Sequence, residues 1–165
     1  DLSQDLDQYF MLSEELHKQF SDTYDLVLLD TPGNLGSRVT AALTAANVVF
    51  CPTELNVYSS QALGQLNTLV QQVKRRLNPT LHFSGLLANK VNGVLNGIPT
   101  KSDEKEIYLN LMKRSPDKLL GLVGKRACIS RAISNGEMVS TTDELSRKSY
   151  EEIKGFSEKL LRILG

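Results

Sequence analysis

Asp30 is the residue in this sequence whose type and position point most directly to chemistry. It ends a continuous apolar run, Leu26-Val27-Leu28-Leu29, and a Thr31-Pro32-Gly33 turn follows it at once. A short apolar run bounded by turn residues reads as a strand buried on both faces. In open α/β sheets ligands bind beyond the carboxyl ends of the strands. A carboxylate there could hold Mg²⁺, usually through water, beside the phosphates of a nucleotide. The same aspartate could instead cap the next helix or open an Asx-turn. Local pattern alone leaves both readings open.

The elements that must position Asp30 can be read from the hydrophobic spacing. Leu2, Leu6, Phe10, Leu12, Leu16 and Phe20 recur near helical spacing and predict an amphipathic helix leading into a strand over 24–30. Ser37 or a neighbour could cap a helix through Ala46, and a second buried strand over 47–51 is stopped by Pro52. A long helix over 59–77, closed by Asn78-Pro79, precedes a strand over 81–88. Asn92-Gly93 and Asn96-Gly97-Ile98-Pro99 mark a long polar loop, and a charged helix follows over 102–114. A strand over 119–123, a short helix near 129–134 and a longer one over 142–164 complete the chain. Strands alternating with helices predict an α/β fold with a doubly wound, mostly parallel sheet and helices on both faces. No linker, repeat or low-complexity segment divides the 165 residues, so a single domain over 1–165 is expected.

Composition narrows the function classes. Nineteen Lys and Arg balance nineteen Asp and Glu, so no whole-molecule field draws the protein to nucleic acid or anionic membrane, and such binding needs a local patch. Two cysteines, Cys51 and Cys128, both in apolar settings, do not make a disulfide framework and point to a reducing, cytoplasmic compartment. No window holds the roughly 18 consecutive apolar residues of a membrane-spanning helix. The basic groups Lys74-Arg75-Arg76, Lys113-Arg114, Lys125-Arg126, Arg131 and Arg147-Lys148 read first as solvated faces and helix ends that favour the helix dipole.

The order of segments carries more than any one motif. Tyr24-Asp25, four apolar residues, Asp30-Thr31-Pro32-Gly33, a helix of small residues and then Ala45-Ala46-Asn47-Val48-Val49-Phe50-Cys51-Pro52 resemble the Walker-B region of the ParA/MinD family of deviant-Walker P-loop ATPases. Residues 83–92, the Val123-Gly124-Lys125 stretch, residues 130–136 and the final helix resemble the family's later strands, base-side loop and C-terminal third. The resemblance implies a P-loop NTPase-like fold, ATP and Mg²⁺ as cofactors, Asp30 as the metal-side catalytic carboxylate and Pro32 in the turn beside it. It implies Asn89 at the adenine edge, with Gly124 and Lys125 in the base pocket. It further implies an ATP-dependent homodimer acting in plasmid or chromosome partition. Such a dimer would hold DNA nonspecifically through Lys125, Arg126 and Arg131, and a partition partner protein would stimulate its hydrolysis.

Two departures stand against that pattern. The family's second proline is Gly33 here, which relaxes the turn after Asp30. The larger departure is that no glycine-rich phosphate loop is present. In Gly121-Leu122-Val123-Gly124-Lys125-Arg126 the first glycine lies too close to the lysine, and Arg126 stands where Ser or Thr should bind the metal. Asp5-Leu6-Asp7-Gln8 superficially resembles the family's hydrolytic switch, but it lies on a helical pattern with no preceding strand. The expectation is therefore a C-terminal portion of a ParA-like ATPase whose phosphate loop lies upstream. Such a piece should be marginal alone, pairing with its missing half or with itself through an open sheet edge. Two alternatives stay open: a MinD-like membrane-cycling ATPase using the amphipathic stretch 154–164, and a P-loop-free α/β module that only binds a protein. Membrane attachment is not expected, because one short helix with few bulky residues anchors weakly.

Overall fold

A computed structural model describes residues 2–165; the side chains of residues 2–6 and of Ser60 lie outside the described residues, and with them the Leu2–Leu6 end of the predicted apolar face and the side chains of Asp5 and Leu6. The chain divides into two compact units, residues 1–49 with 61–83, and residues 50–60 with 84–165.

The first unit is helical. α1 (Leu2–Phe20) packs on α2 (Ser37–Ala45), and α3 (Ser59–Arg76) supplies the other wall of the core. Val39 and Leu43 from α2 meet Val70 and Val73 from α3 and Leu81, with Ala46, Leu66, Leu69 and Leu77 around them. These positions fall at helical spacing, which is why both helices present one apolar face. Asn78 closes the unit. Its side-chain amide is buried and donates to the carbonyls of Leu43 at 3.1 Å and Ala46 at 2.7 Å, groups that the end of α2 would otherwise leave unpaired. At the N-terminus of α2 the cap residue is Ser37's neighbour Gly36, no side chain caps it, and Ser37 is the first helical residue.

The strand expected over 24–30 does not form. Residues 24–32 have no regular structure, and Leu26, Val27 and Leu28 are exposed, Leu28 by 71%. A strand exists only through a neighbour that supplies donors and acceptors, and no described residue pairs with this run. Beside it lies an apolar hollow of about 320 Å³ lined by Phe20, Tyr24, Leu26, Val27 and Leu28.

The second unit carries the sheet, in the order β1-β2-β5, with β1 (Val48–Thr53), β2 (His82–Val91) and β5 (Leu119–Gly124). β2 and β5 run parallel, with Leu86 opposite Leu119, Ala88 opposite Leu122 and Val91 opposite Gly124. Their buried runs are nearly continuous, as strands covered on both faces require. Pro52 lies inside β1 rather than ending it. It is exposed on an outer strand of the sheet, the position where a residue without an N–H is tolerated. Gly85 is required at its position, since its φ of +142° and the backbone of Lys118 leave no room for a Cβ.

One face of this sheet is covered by α4 (Ser102–Arg114), whose Ile107, Tyr108 and Leu111 pack against Leu55, Ala88, Val91, Leu119 and Leu122. α6 (Glu144–Leu164) packs against β5. Its Phe156 lies close above Gly121 and stacks at a tilt on Phe50, with ring centroids 5.3 Å apart. Leu160 is buried, and Lys159 Nζ donates to the Leu119 carbonyl at 2.8 Å, so the tail helix is anchored within the unit. α5 (Ala127–Asn135) connects β5 to α6 and ends on left-handed Gly136. The expected long loop contains a hairpin, β3 (Val94–Leu95) against β4 (Ile98–Pro99), turned by Asn96 and Gly97 at φ +50° and +74°.

Candidate functional site

The parallel register brings the carboxyl ends of β2 and β5 to one edge. Val91 stands opposite Gly124, and the Lys125 backbone N–H donates to the Val91 carbonyl at 2.8 Å. Gly124 and Lys125, singled out in the sequence, therefore stand beside Val91, the last residue of β2, and Asn89 lies two positions earlier on that strand, near the edge where α/β sheets bind ligands.

Asn89 has a local task as well as a position. Its Oδ1 accepts from the Lys90 backbone N–H at 2.9 Å, steadying Lys90 in the left-handed region at φ +53°. This local turn role leaves Nδ2, which none of the described hydrogen bonds uses. Lys90 in turn pairs with Glu54 beyond the end of β1, at 3.2 Å with both side chains exposed. An exposed pair of this kind adds little stability. Next to it, Asn56 Oδ1 accepts from the backbone N–H groups of Tyr58 and Ser59, both at 3.1 Å, and opens α3.

The turn after β5 is built around Glu152 of α6. Its Oε2 accepts from the Gly124 backbone N–H at 2.9 Å, and its two oxygens take a forked pair from Arg126, at 2.5 and 2.6 Å. The Arg126 side chain is only 13% exposed. Hydrogen bonding to Glu152 raises the already high pKa of Arg126. A Cβ on Gly124 would fall 2.8 Å from the Arg126 guanidinium carbon, so glycine here makes room for the ion pair. Buried Ser149 extends the network, accepting from Arg126 at 3.4 Å and meeting Cys128 Sγ at 3.3 Å. That last contact lowers the Cys128 thiol pKa, whereas burial raises that of Cys51.

The remaining predicted residues are placed differently. Lys125 and Arg131 are exposed, while Arg126 is committed to Glu152. Asp30 and Pro32 are exposed on the irregular segment of the first unit. Among the described residues no group of three His, Cys, Asp or Glu could hold a metal. A single carboxylate still suits Mg²⁺, which keeps several waters and takes substrate phosphates as ligands rather than a cage of protein groups. No helix of the described residues is long and apolar enough to cross a membrane.

Sequence reasoning missed Glu152, Lys90 and the Asn92–Glu104 contact. Glu104, in the first turn of α4, is buried and accepts from Asn92 through both the backbone N–H at 2.8 Å and Nδ2 at 2.5 Å. Glu152 lies 26 residues beyond Arg126 and carries no local signal, whereas Asn92 and the acid-rich start of α4 were both visible.

Comparison with known proteins finds relatives of this chain in sequence and in fold. The family model described as AAA domain matches residues 1–83. The chain is 28% identical to Protein IncC of Escherichia coli over 82% of its length and 36% of that protein. It is 27% identical to the sporulation initiation inhibitor protein Soj of Bacillus subtilis, over 75% of its length and 47% of Soj. The chain thus spans between a third and a half of these curated relatives. Among solved structures it is similar to the McdA–ATP complex of Cyanothece, with a TM-score of 0.79 and 17% identity over 93% of this chain and 57% of that one. At that identity the likeness speaks for the fold alone.

Proposed function

This chain belongs to the ParA/MinD family of partition ATPases, and on that premise we propose that it is the C-terminal portion of a ParA-like ATPase domain acting in plasmid or chromosome partition. Residues 1–165 form one part of that domain, and the phosphate-binding loop is supplied by another part of a longer cytoplasmic protein. What supports this reading is the register of β2 and β5, which aligns the carboxyl ends of the two strands at one edge, with Asn89 two residues before the end of β2, Gly124 ending β5 and Lys125 following it.

In this reading Asn89 and the Gly124–Lys125 turn contact the base of ATP. Asp30, two residues before Pro32, would hold Mg²⁺, which when bound would supply positive charge beside the transferred phosphoryl group. Lys125 then has two possible partners, base and DNA phosphate, while Arg131 faces DNA alone and Arg126 supports the turn from within. Two copies enclose the nucleotides as a homodimer, and a partner protein that stimulates hydrolysis resets DNA binding.

DNA retention by the product of the complete open reading frame tests the proposal. Binding to unrelated duplexes should require ATP, show no sequence preference and fall steeply with salt. Arg131→Ala should weaken it uniformly and reduce the salt slope by about one. Nucleotide-independent or sequence-selective binding would contradict the reading.

A further inference from the structure

The carboxylate of Glu152 ties together three things that no sequence motif connects. It accepts from the Gly124 backbone N–H, it holds both arms of Arg126, and it belongs to the helix that closes the fold. Gly124 and Lys125 form the turn after β5, and Lys125 is held on its other side by the bond from its N–H to the Val91 carbonyl. The turn is thus fixed at Gly124 by α6 and at Lys125 by β2. The Lys125 side chain is exposed and has no ion-pair partner among the described residues.

We propose that Glu152 is the positioning residue of the base site: through Gly124 and Arg126 it sets the height of the 124–125 turn against Asn89, and so decides which base edge the site accepts. This rests on the reading that the turn contacts the base. The physical basis is the rigidity of a forked, largely buried carboxylate–guanidinium pair, which permits few alternative geometries. Gly124 contributes by having no Cβ, since any other side chain would strike the guanidinium. Glu152 never touches the nucleotide in this arrangement, so its influence appears as selectivity rather than as a lost contact.

The test is competition binding of ATP against GTP, each with Mg²⁺, to the product of the complete open reading frame. Glu152→Gln keeps the acceptor for Gly124 but loses the charge that holds Arg126. It should reduce the preference for ATP over GTP by roughly tenfold, the scale of one charge-assisted hydrogen bond. Arg126→Lys, which breaks the fork and keeps the charge, should move the ratio in the same direction and serves if Glu152→Gln folds poorly. A merely structural role would weaken both nucleotides in parallel and leave the ratio unmoved, which overturns the proposal. Lys125→Ala and Asn89→Ala separate the two ideas. If they shift the ratio and the Glu152 and Arg126 variants do not, the base-site reading stands and the positioning role is wrong. If none of the four shifts it, the base-site reading fails and takes the proposal with it.

Discussion

The backbone N–H of Lys125 donates to the carbonyl of Val91 at 2.8 Å, one step beyond the point where β2 and β5 cease to pair as strands. This bond continues the ladder into the turn and places the first free side chain after β5, that of Lys125, next to the polar end of β2. Residues 33 or more positions apart in sequence become neighbours because parallel strands align their carboxyl ends at one edge.

Asn78 supports the other unit in a comparable way. Asn78→Ala removes two bonds to the end of α2 and leaves the Leu43 and Ala46 carbonyls short of partners. The variant should lose about 1–3 kcal/mol of stability in urea unfolding. Asn78→Asp should cost more, because a carboxylate would face two carbonyl oxygens. Unchanged midpoints for both would show that the cap is idle.

The thiols should differ in reactivity. The Ser149 contact lowers the pKa of Cys128 and burial raises that of Cys51, so at mildly alkaline pH Cys128 holds the larger thiolate fraction. Peptide mapping after brief iodoacetamide treatment should find Cys128 labelled first, and Ser149→Ala should slow it. Equal labelling of the two would contradict the assignment.

The fold was legible where local signals and tertiary needs agree. The helix expected over 102–114 is α4 to the residue, because Asp103 and Glu104 mark its start and Lys113 and Arg114 its end. The strand over 119–123 was read despite Gly121, which proves to be the place where Phe156 approaches. The hairpin at Asn96-Gly97 was expected as a polar loop, because its two-residue strands are too short to show alternation. The run 24–30 has the composition of a buried strand, but composition cannot supply a neighbour. At the candidate site Asn89, Gly124 and Lys125 were named through the family resemblance, and what the structure adds is their position at the ends of β2 and β5. Glu152 was not, since one acidic residue on a charged helix resembles any other until the fold brings Arg126 to it.

That unpaired run makes a prediction about association. Leu26, Val27 and Leu28 expose apolar side chains beside the hollow formed with Phe20 and Tyr24. A contiguous patch of this kind promotes association. Sedimentation of the 165-residue chain should show concentration-dependent self-association, and Leu28→Lys should reduce it. A chain that stays monomeric at high concentration with Leu28 intact would count against an unfilled strand position.

Calorimetric titration of ATP in the presence of Mg²⁺, on this chain and on the product of the complete open reading frame, tests the central claim most directly. The account predicts that the longer protein binds, that Asn89→Ala weakens binding, that Asp30→Ala abolishes Mg²⁺-dependent hydrolysis, and that the 165-residue chain alone shows no binding. A complete product that fails to bind ATP, or that hydrolyses it unchanged with Asp30→Ala, would contradict it.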